Sequence, residues 1–77
     1  MFLEIITPDK KVFNGEVSSA TFPGVLGSFQ ILENHAPIVS TLSAGKIKYV
    51  VAGKEEFVDV LGGVVEVSKN KAIVLAE

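Results

Sequence analysis

His35 has the most versatile chemistry in this chain, since an imidazole can act as a general base or bind a metal ion. It is the only histidine, and it lies in the segment Glu33-Asn34-His35-Ala36-Pro37. A zinc site takes about four ligands, and the sequence offers no second histidine and no cysteine. A general base needs an orienting partner, and Glu33 and Asp59 could orient His35 only by accident of folding. We therefore expect a structural or interface role for His35, and no catalytic, metal-binding or cofactor-binding residue.

The other polar motifs fit surface roles better than chemistry. Glu55 and Glu56 are adjacent, and adjacent residues of a strand face opposite sides, so they do not form a cooperating carboxylate pair. Gly62-Gly63 lacks the Lys-Ser/Thr and the helix that follow a phosphate-binding loop, and it predicts a bulge or a tight strand connection instead. Lys46 and Lys48 share a face and could contact an anionic patch, but most such pairs are simply solvated.

Composition excludes several classes of protein. The chain has 77 residues, a net charge of -2, no arginine and no cysteine. A nucleic-acid-binding domain would show a basic patch, whereas the seven lysines here are scattered. A disulfide scaffold is excluded, and the longest apolar run, residues 60–65, is far shorter than a membrane span. A secretory leader is not visible either. The remaining class is a small globular domain.

The sequence predicts an all-β fold. Valine, isoleucine and threonine supply 21 of the 77 residues, and turn signals recur at short intervals without a sustained helical period. This spacing is typical of a small antiparallel β-sandwich of about eight to ten short strands. Asn14-Gly15 could form a hairpin turn, or Gly15 could be a bulge in a long bent strand. The predicted strands cover residues 2–7, 11–22, 28–32, 37–42, 46–52, 55–61, 63–68 and 71–76.

Several predicted strands are apolar on both faces. Tyr49, Val50 and Val51 are consecutive, and so are Val64 and Val65. A sandwich of this size has one interior, so some of these side chains must lie outside it. An apolar outer patch on a small protein usually marks a partner surface. The residues alone thus predict an interaction domain.

The sequence closely resembles the epsilon subunit of the F-type ATP synthase. The resemblance is strongest over Gly27-Ser28-Phe29-Gln30-Ile31-Leu32-Glu33-Asn34-His35-Ala36-Pro37, where Ser28, Gln30 and Glu33 replace the usual Glu, Gly and Pro. It extends over essentially the whole chain. Further matching segments are Leu3-Glu4-Ile5-Ile6-Thr7-Pro8, Val12-Phe13, Gly15-Glu16-Val17, Phe22-Pro23-Gly24, Leu42, Gly45, Ile47, Gly62-Gly63-Val64-Val65-Glu66-Val67 and Ile73-Val74-Leu75-Ala76.

The resemblance implies a rotor role without catalysis or cofactor. In that family the sandwich packs on the gamma shaft, sits on the c-ring and couples ion flow to ATP synthesis. It would be a peripheral protein on the cytoplasmic face of the bacterial inner membrane, attached only through the complex. Matching positions imply gamma-subunit contacts at Thr7, His35 and Ser40, and c-ring contacts at Leu26, Ser28 and Phe29.

Other functions would each require further residues that the sequence must supply. A small hydrolase built on His35 would need a second catalytic group. A biotinyl or lipoyl carrier would need Lys54 or Lys69 in a modification motif, and neither lies in one. A free-standing β-sandwich binding or adaptor domain is the alternative that the residues leave open.

The resemblance also predicts the domain organisation. The sequence ends after Ile73-Val74-Leu75-Ala76, where most members of that family continue into a helical hairpin. We expect residues 1–77 to form a single epsilon-type sandwich without the C-terminal helical domain. We accordingly expect no inhibitory latch and no nucleotide site.

Overall fold

The chain folds entirely into strands, as its β-branched composition predicts. The computed structural model describes all 77 residues and contains nine strands and no helix. No helix that could span a membrane is therefore present. The all-β class is confirmed, and most strand ends lie within one residue of the prediction. The strands are β1 (Phe2–Ile6), β2 (Lys11–Glu16), β3 (Ser19–Gly24), β4 (Gly27–Leu32), β5 (Ile38–Leu42), β6 (Gly45–Val51), β7 (Lys54–Val60), β8 (Gly63–Ser68) and β9 (Lys71–Ala76).

The nine strands form one curled sheet that divides into two layers. Sheet I has the order β2-β1-β9-β8-β5, and sheet II has the order β4-β3-β6-β7. The layers are continuous at a single bridge between Gly24 and Leu42. All pairs are antiparallel except β1 with β9, which are parallel. A parallel pair needs a long connection, and the seven strands between β1 and β9 provide it.

One hydrophobic core fills the space between the layers. It contains sixteen buried side chains, and each strand of sheet I or sheet II that contributes to it does so with alternate residues. Phe13 of sheet I packs on Tyr49 of sheet II with ring centroids 4.4 Å apart. The buried residues are Met1, Leu3, Ile5, Val17, Ala20, Phe22, Ile31, Leu42, Ile47, Tyr49, Val60, Val65, Val67, Ala72, Val74 and Ala76.

The predicted long strand over residues 11–22 is divided into two strands that belong to different sheets. The Val17 N–H donates to Met1 O at 2.8 Å, whereas the Ser18 N–H donates to Val50 O at 2.9 Å. The chain therefore passes from one layer to the other within two residues. The strand was predicted as continuous because both halves have strand-like composition, and only their partners differ.

The alternatives for Asn14-Gly15 were both wrong. The two residues lie inside β2, opposite Glu4 and Leu3, and the register shift falls between Ile5 and Ile6. A side chain at Gly15 would meet the ring of Phe13 at 3.3 Å, so that ring occupies the space beside the glycine. Packing of Phe13 against the core thus outweighs the local turn preference.

The predicted turns at the ends of the last two hairpins are confirmed. Ala52 and Gly53 join β6 to β7, and Lys69 and Asn70 join β8 to β9, all with positive φ angles as two-residue hairpins require. The tight strand connection at Gly62-Gly63 is also confirmed. A side chain at Gly63 would lie 2.3 Å from Leu75 O, so only glycine fits there.

Candidate functional site

The outer surface of sheet I carries a set of apolar side chains that we call the apolar face: Ile6, Val39, Val64, Ile73 and Leu75. Strand register places Ile6 beside Leu75, and Leu75 beside Val64, in one row across the sheet. Leu75 is 58% exposed and Val39 is 68% exposed. Their outward direction follows from the strand period, because their immediate neighbours Val74 and Ile38 point inward. An apolar outer patch is present as the sequence predicts, but of the residues named for it only Val64 lies here, because Tyr49 and Val65 are buried in the core.

The outer surface of sheet II carries more charged side chains, although Leu32 is 51% exposed there. Lys46 Nζ lies 2.9 Å from Asp59 Oδ1, and Lys48 Nζ lies 3.6 Å from Glu55 Oε2. These lysines therefore have acidic partners within the sheet. Their contact with an external anionic patch stays a prediction. Phe57 is the one strongly exposed aromatic residue, and it lies directly opposite Lys48. Glu55 and Glu56 pair with different lysines, Lys48 and Lys54, as opposite-facing residues would.

The segment of residues 33–37, which we call the His35 loop, joins β4 of sheet II to β5 of sheet I. It begins with a turn in which the His35 N–H donates to Leu32 O at 3.2 Å. Asn34 occupies this turn with φ of 60°. The His35 ring is exposed, and its Nδ1 lies 2.7 Å from Ala36 O. The loop therefore presents the imidazole at the surface.

The two carboxylates that could have oriented His35 are bound elsewhere. Glu33 contacts the amino group of Met1 and accepts a bond from Asn70 Nδ2, and Asp59 pairs with Lys46. No group of three or more histidine and carboxylate residues is arranged to hold a metal ion.

The predicted gamma-contact residues are not brought together. Thr7 closes the turn after β1, where its N–H and Oγ1 both donate to Lys10 O. Ser40 lies in β5, with β9 and β8 between it and β1, so about 14 Å separates the two strands. The Ser40 side chain is half-buried, next to Val65 on the inner side of the sheet. His35 lies at the far end of sheet I from Thr7.

The predicted ring-contact residues lie on one hairpin. Val25 and Leu26 form the two-residue connection between β3 and β4, and Leu26 is 101% exposed. Ser28 is exposed on the outer side, opposite Pro23. Phe29 is half-buried and packs on Phe22 with centroids 5.5 Å apart, so it supports the hairpin more than it projects from it. We call Val25 and Leu26 the hairpin tip.

Sequence reasoning did not single out Val39, Ile73 and Leu75 of the apolar face, or Val25 at the hairpin tip. Val25 is 54% exposed beside Leu26, and Leu75 is exposed in the last strand. Strand alternation could have found Leu75, because Ala72, Val74 and Ala76 would have to share the opposite, buried face. Val25 has no such signal, since it lies in a turn.

Tyr49 is a buried ionisable residue of the core. Burial raises the pKa of the Tyr49 hydroxyl above its usual value of 10.0, and the carboxylate of Glu56, directly opposite on β7, raises it further. Tyr49 lies on the core side of sheet II, away from the apolar face, so this shift concerns folding stability and not a surface site.

Residues 1–77 match the family model for the β-sandwich domain of the ATP synthase delta/epsilon chain. The chain belongs to the ATP synthase delta/epsilon chain family. It is 46% identical over 76 residues to the ATP synthase epsilon chain of Chlorobium limicola, covering 97% of this chain and 86% of that one. It is also 46% identical over 77 residues to that of Nitratidesulfovibrio vulgaris (strain Miyazaki F), covering all of this chain and 58% of the relative.

Solved structures show the same sandwich as this delta/epsilon-type chain. A chain of the central stalk and c-ring of the Tetrahymena thermophila mitochondrial ATP synthase superposes with a TM-score of 0.83, at 21% identity, over 97% of this chain and 61% of that one. A chain of the Euglena gracilis mitochondrial ATP synthase gives 0.90, also at 21% identity, over 96% and 48%. At this identity the likeness establishes the fold.

Proposed function

We propose that this chain is a non-catalytic rotor subunit that joins the gamma shaft to the c-ring of an ATP synthase and so couples ion flow to ATP synthesis. The observation that carries this proposal is the family match over residues 1–77. Support also comes from the like-folded chain of the Tetrahymena thermophila central stalk and c-ring. On this proposal the protein is peripheral, held at the cytoplasmic face of the bacterial membrane by the complex.

The apolar face of sheet I is the surface best suited to the shaft. An interface of ordinary size buries about 1,200–2,000 Å² and has an apolar centre within a polar rim. Leu75 and Val64 would form the centre, and Glu4 and Glu66 on either side of Ile73 would form an adjoining acidic row. Thr7 and His35 lie at opposite ends of this sheet, where they would contact the ends of the same shaft surface.

The hairpin tip is the surface best suited to the ring. Leu26 and Val25 project two apolar side chains beyond the end of the sandwich, where polar loops of a ring could surround them. Ser28 beside the tip is neutral, so its contribution would be a hydrogen bond without charge assistance. Binding of the ring by this hairpin should therefore depend little on salt concentration.

Affinity purification from membranes tests the proposal. A tagged copy of the chain, expressed in its own cells, should retain the gamma subunit and the c-ring after detergent extraction. Recovery of neither would refute the rotor role. Recovery of a different defined partner in stoichiometric amount would favour the alternative of a free-standing adaptor domain, whose exposed apolar face would bind that partner.

Hydrolysis measurements test the absence of a latch in residues 1–77. These residues form strands only, and we propose that they assist coupling without entering the catalytic head. Adding the purified 77-residue chain to the soluble catalytic complex should leave ATP hydrolysis unchanged within about twofold. Inhibition of several-fold that ATP relieves would contradict this part of the proposal.

A further inference from the structure

One side chain of the β8–β9 turn binds the His35 loop, which lies at the same end of sheet I. Asn70 Oδ1 accepts the backbone N–H of Asn34 at 2.8 Å, and Asn70 Nδ2 donates to Glu33 Oε2 at 3.0 Å. These partners lie 36 and 37 residues away in sequence. One amide group therefore uses its acceptor and its donor on two consecutive residues of the same loop.

The turn itself does not require an asparagine at this position. Asn70 has φ of 60°, in the left-handed region that asparagine tolerates and that glycine adopts more easily. Glycine is the commonest second residue of a two-residue hairpin turn of this kind. The neighbouring Lys69 also has positive φ, at 53°, yet its side chain is exposed and makes no hydrogen bond or ion pair. The asparagine side chain is thus explained by the loop and not by the turn.

Asn70 supplies hydrogen-bond partners for loop groups that find none in the backbone of the loop itself. The Asn34 N–H finds its acceptor in Asn70 Oδ1, whereas the next amide, that of His35, closes the turn onto Leu32 O. The other oxygen of Glu33 contacts the amino group of Met1, so Glu33 is held from two sides. At the end of the loop, Pro37 fixes its own φ. His35 lies between a clamped turn and a rigid proline.

We propose that Asn70 is a positioning residue that clamps the His35 loop to the β8–β9 turn and so sets the orientation in which His35 meets its partner. The clamp holds the loop at the joint between the two sheets, because β4 belongs to sheet II and β5 to sheet I. The positioning role rests on the proposed function, in which His35 contacts the gamma subunit. The clamp itself is a property of the isolated chain and can be measured there.

Amide hydrogen exchange of the purified chain tests the clamp. Asn70→Gly removes both side-chain bonds and retains a residue suited to positive φ. We expect exchange of the Asn34 amide to accelerate at least tenfold, while exchange of the buried Val65 amide and the thermal midpoint stay unchanged. Lys69→Gly is the matched control in the same turn, and it should leave the Asn34 amide protected.

Two conservative variants separate the bonds of the clamp. Asn70→Asp combined with Glu33→Gln keeps an acceptor for the Asn34 N–H and avoids two adjacent carboxylates, so protection of that amide should be largely retained. Glu33→Gln keeps a side-chain oxygen for Asn70 Nδ2 and should also retain it. Unchanged exchange at Asn34 in Asn70→Gly would overturn the clamp. Equal acceleration at Asn34 and Val65 would overturn it too, because it would show general destabilisation.

Binding to the purified gamma subunit tests the positioning role. Asn70→Gly should weaken binding about tenfold, whereas Lys69→Gly and Glu33→Gln should stay within about twofold of the unaltered chain. Unaltered affinity of Asn70→Gly, together with faster exchange at Asn34, would overturn the role. Failure of the unaltered chain to bind gamma would refute the proposed function and this role with it, while the exchange data would still decide the clamp.

Discussion

The two outer surfaces of the sandwich are built from similar strands and differ in the balance of their side chains, although Glu66 lies between Ile73 and Val39 on sheet I and Phe57 and Leu32 are exposed on sheet II. Sheet I presents the apolar face, with Leu75 and Val39 more than half exposed. Sheet II presents lysine–carboxylate pairs, among them Lys46 with Asp59. A surface that faces water permanently has no reason to expose several neighbouring aliphatic side chains. This difference is the observation behind the proposal that sheet I meets the partner and sheet II faces solvent.

The largest effect is expected from a charge in the apolar face. Leu75→Glu should weaken binding to the gamma subunit about 100-fold, because a carboxylate would be buried without a partner at the centre of the interface. Phe57→Glu is the matched control on sheet II, since Phe57 is 55% exposed and Leu75 is 58% exposed. Titration of gamma with each variant, after circular dichroism has verified the fold, measures the difference. Equal losses of affinity would remove the distinction between the faces.

A second comparison concerns the two sides of β5. Ser40 faces inward beside Val65, whereas its neighbour Thr41 is exposed on the outer side. Ser40→Glu should therefore lower the free energy of unfolding by about 1–3 kcal/mol, since the carboxylate loses part of its hydration. Thr41→Glu should leave stability within about 0.5 kcal/mol. Urea denaturation measures both. If Ser40→Glu keeps full stability but loses gamma binding, then Ser40 contacts the shaft directly.

The ion pairs of sheet II should contribute little. Asp59→Asn removes the 2.9 Å pair with Lys46, whose partners are both mostly exposed to solvent. The expected loss of stability is below about 1 kcal/mol, with no change in gamma or ring binding. Urea denaturation at low and at high salt provides the measurement. A larger loss that high salt abolishes would mean that these pairs hold sheet II together.

Ionisation of Tyr49 should leave the free energy of unfolding unchanged at neutral pH and should lower it only in alkaline solution. Its pKa is raised in the folded chain by burial and by Glu56. Its contribution to stability is therefore complete below the unfolded pKa of about 10, and it is lost as pH rises through the folded value. Tyr49→Phe should remove this part of the pH dependence. Identical decline of stability in both proteins between pH 9 and about 12 would contradict the assignment.

The family match and the fold class could be predicted from the sequence, and the arrangement of the site could not. Thr7, His35 and Ser40 were predicted as one contact set from matching positions, yet they lie on separate parts of sheet I. The hairpin residues Leu26, Ser28 and Phe29 do lie together, because they are neighbours in sequence. The sequence thus names contact residues by their matching positions, and only the fold shows how far apart they lie.

The sequence alone determined the features that depend only on short segments of the chain. β-branched residues and turn residues placed the strands, and the alternation of apolar and polar residues showed that some apolar side chains had to lie outside. Tertiary structure decided which sheet they lie on, where β2 ends and β3 begins, and that Asn70 binds the His35 loop. Each of these depends on a partner strand or turn more than 10 residues away, and local preference carries no information about such partners. Strand pairing and side-chain packing over the whole chain supply that information.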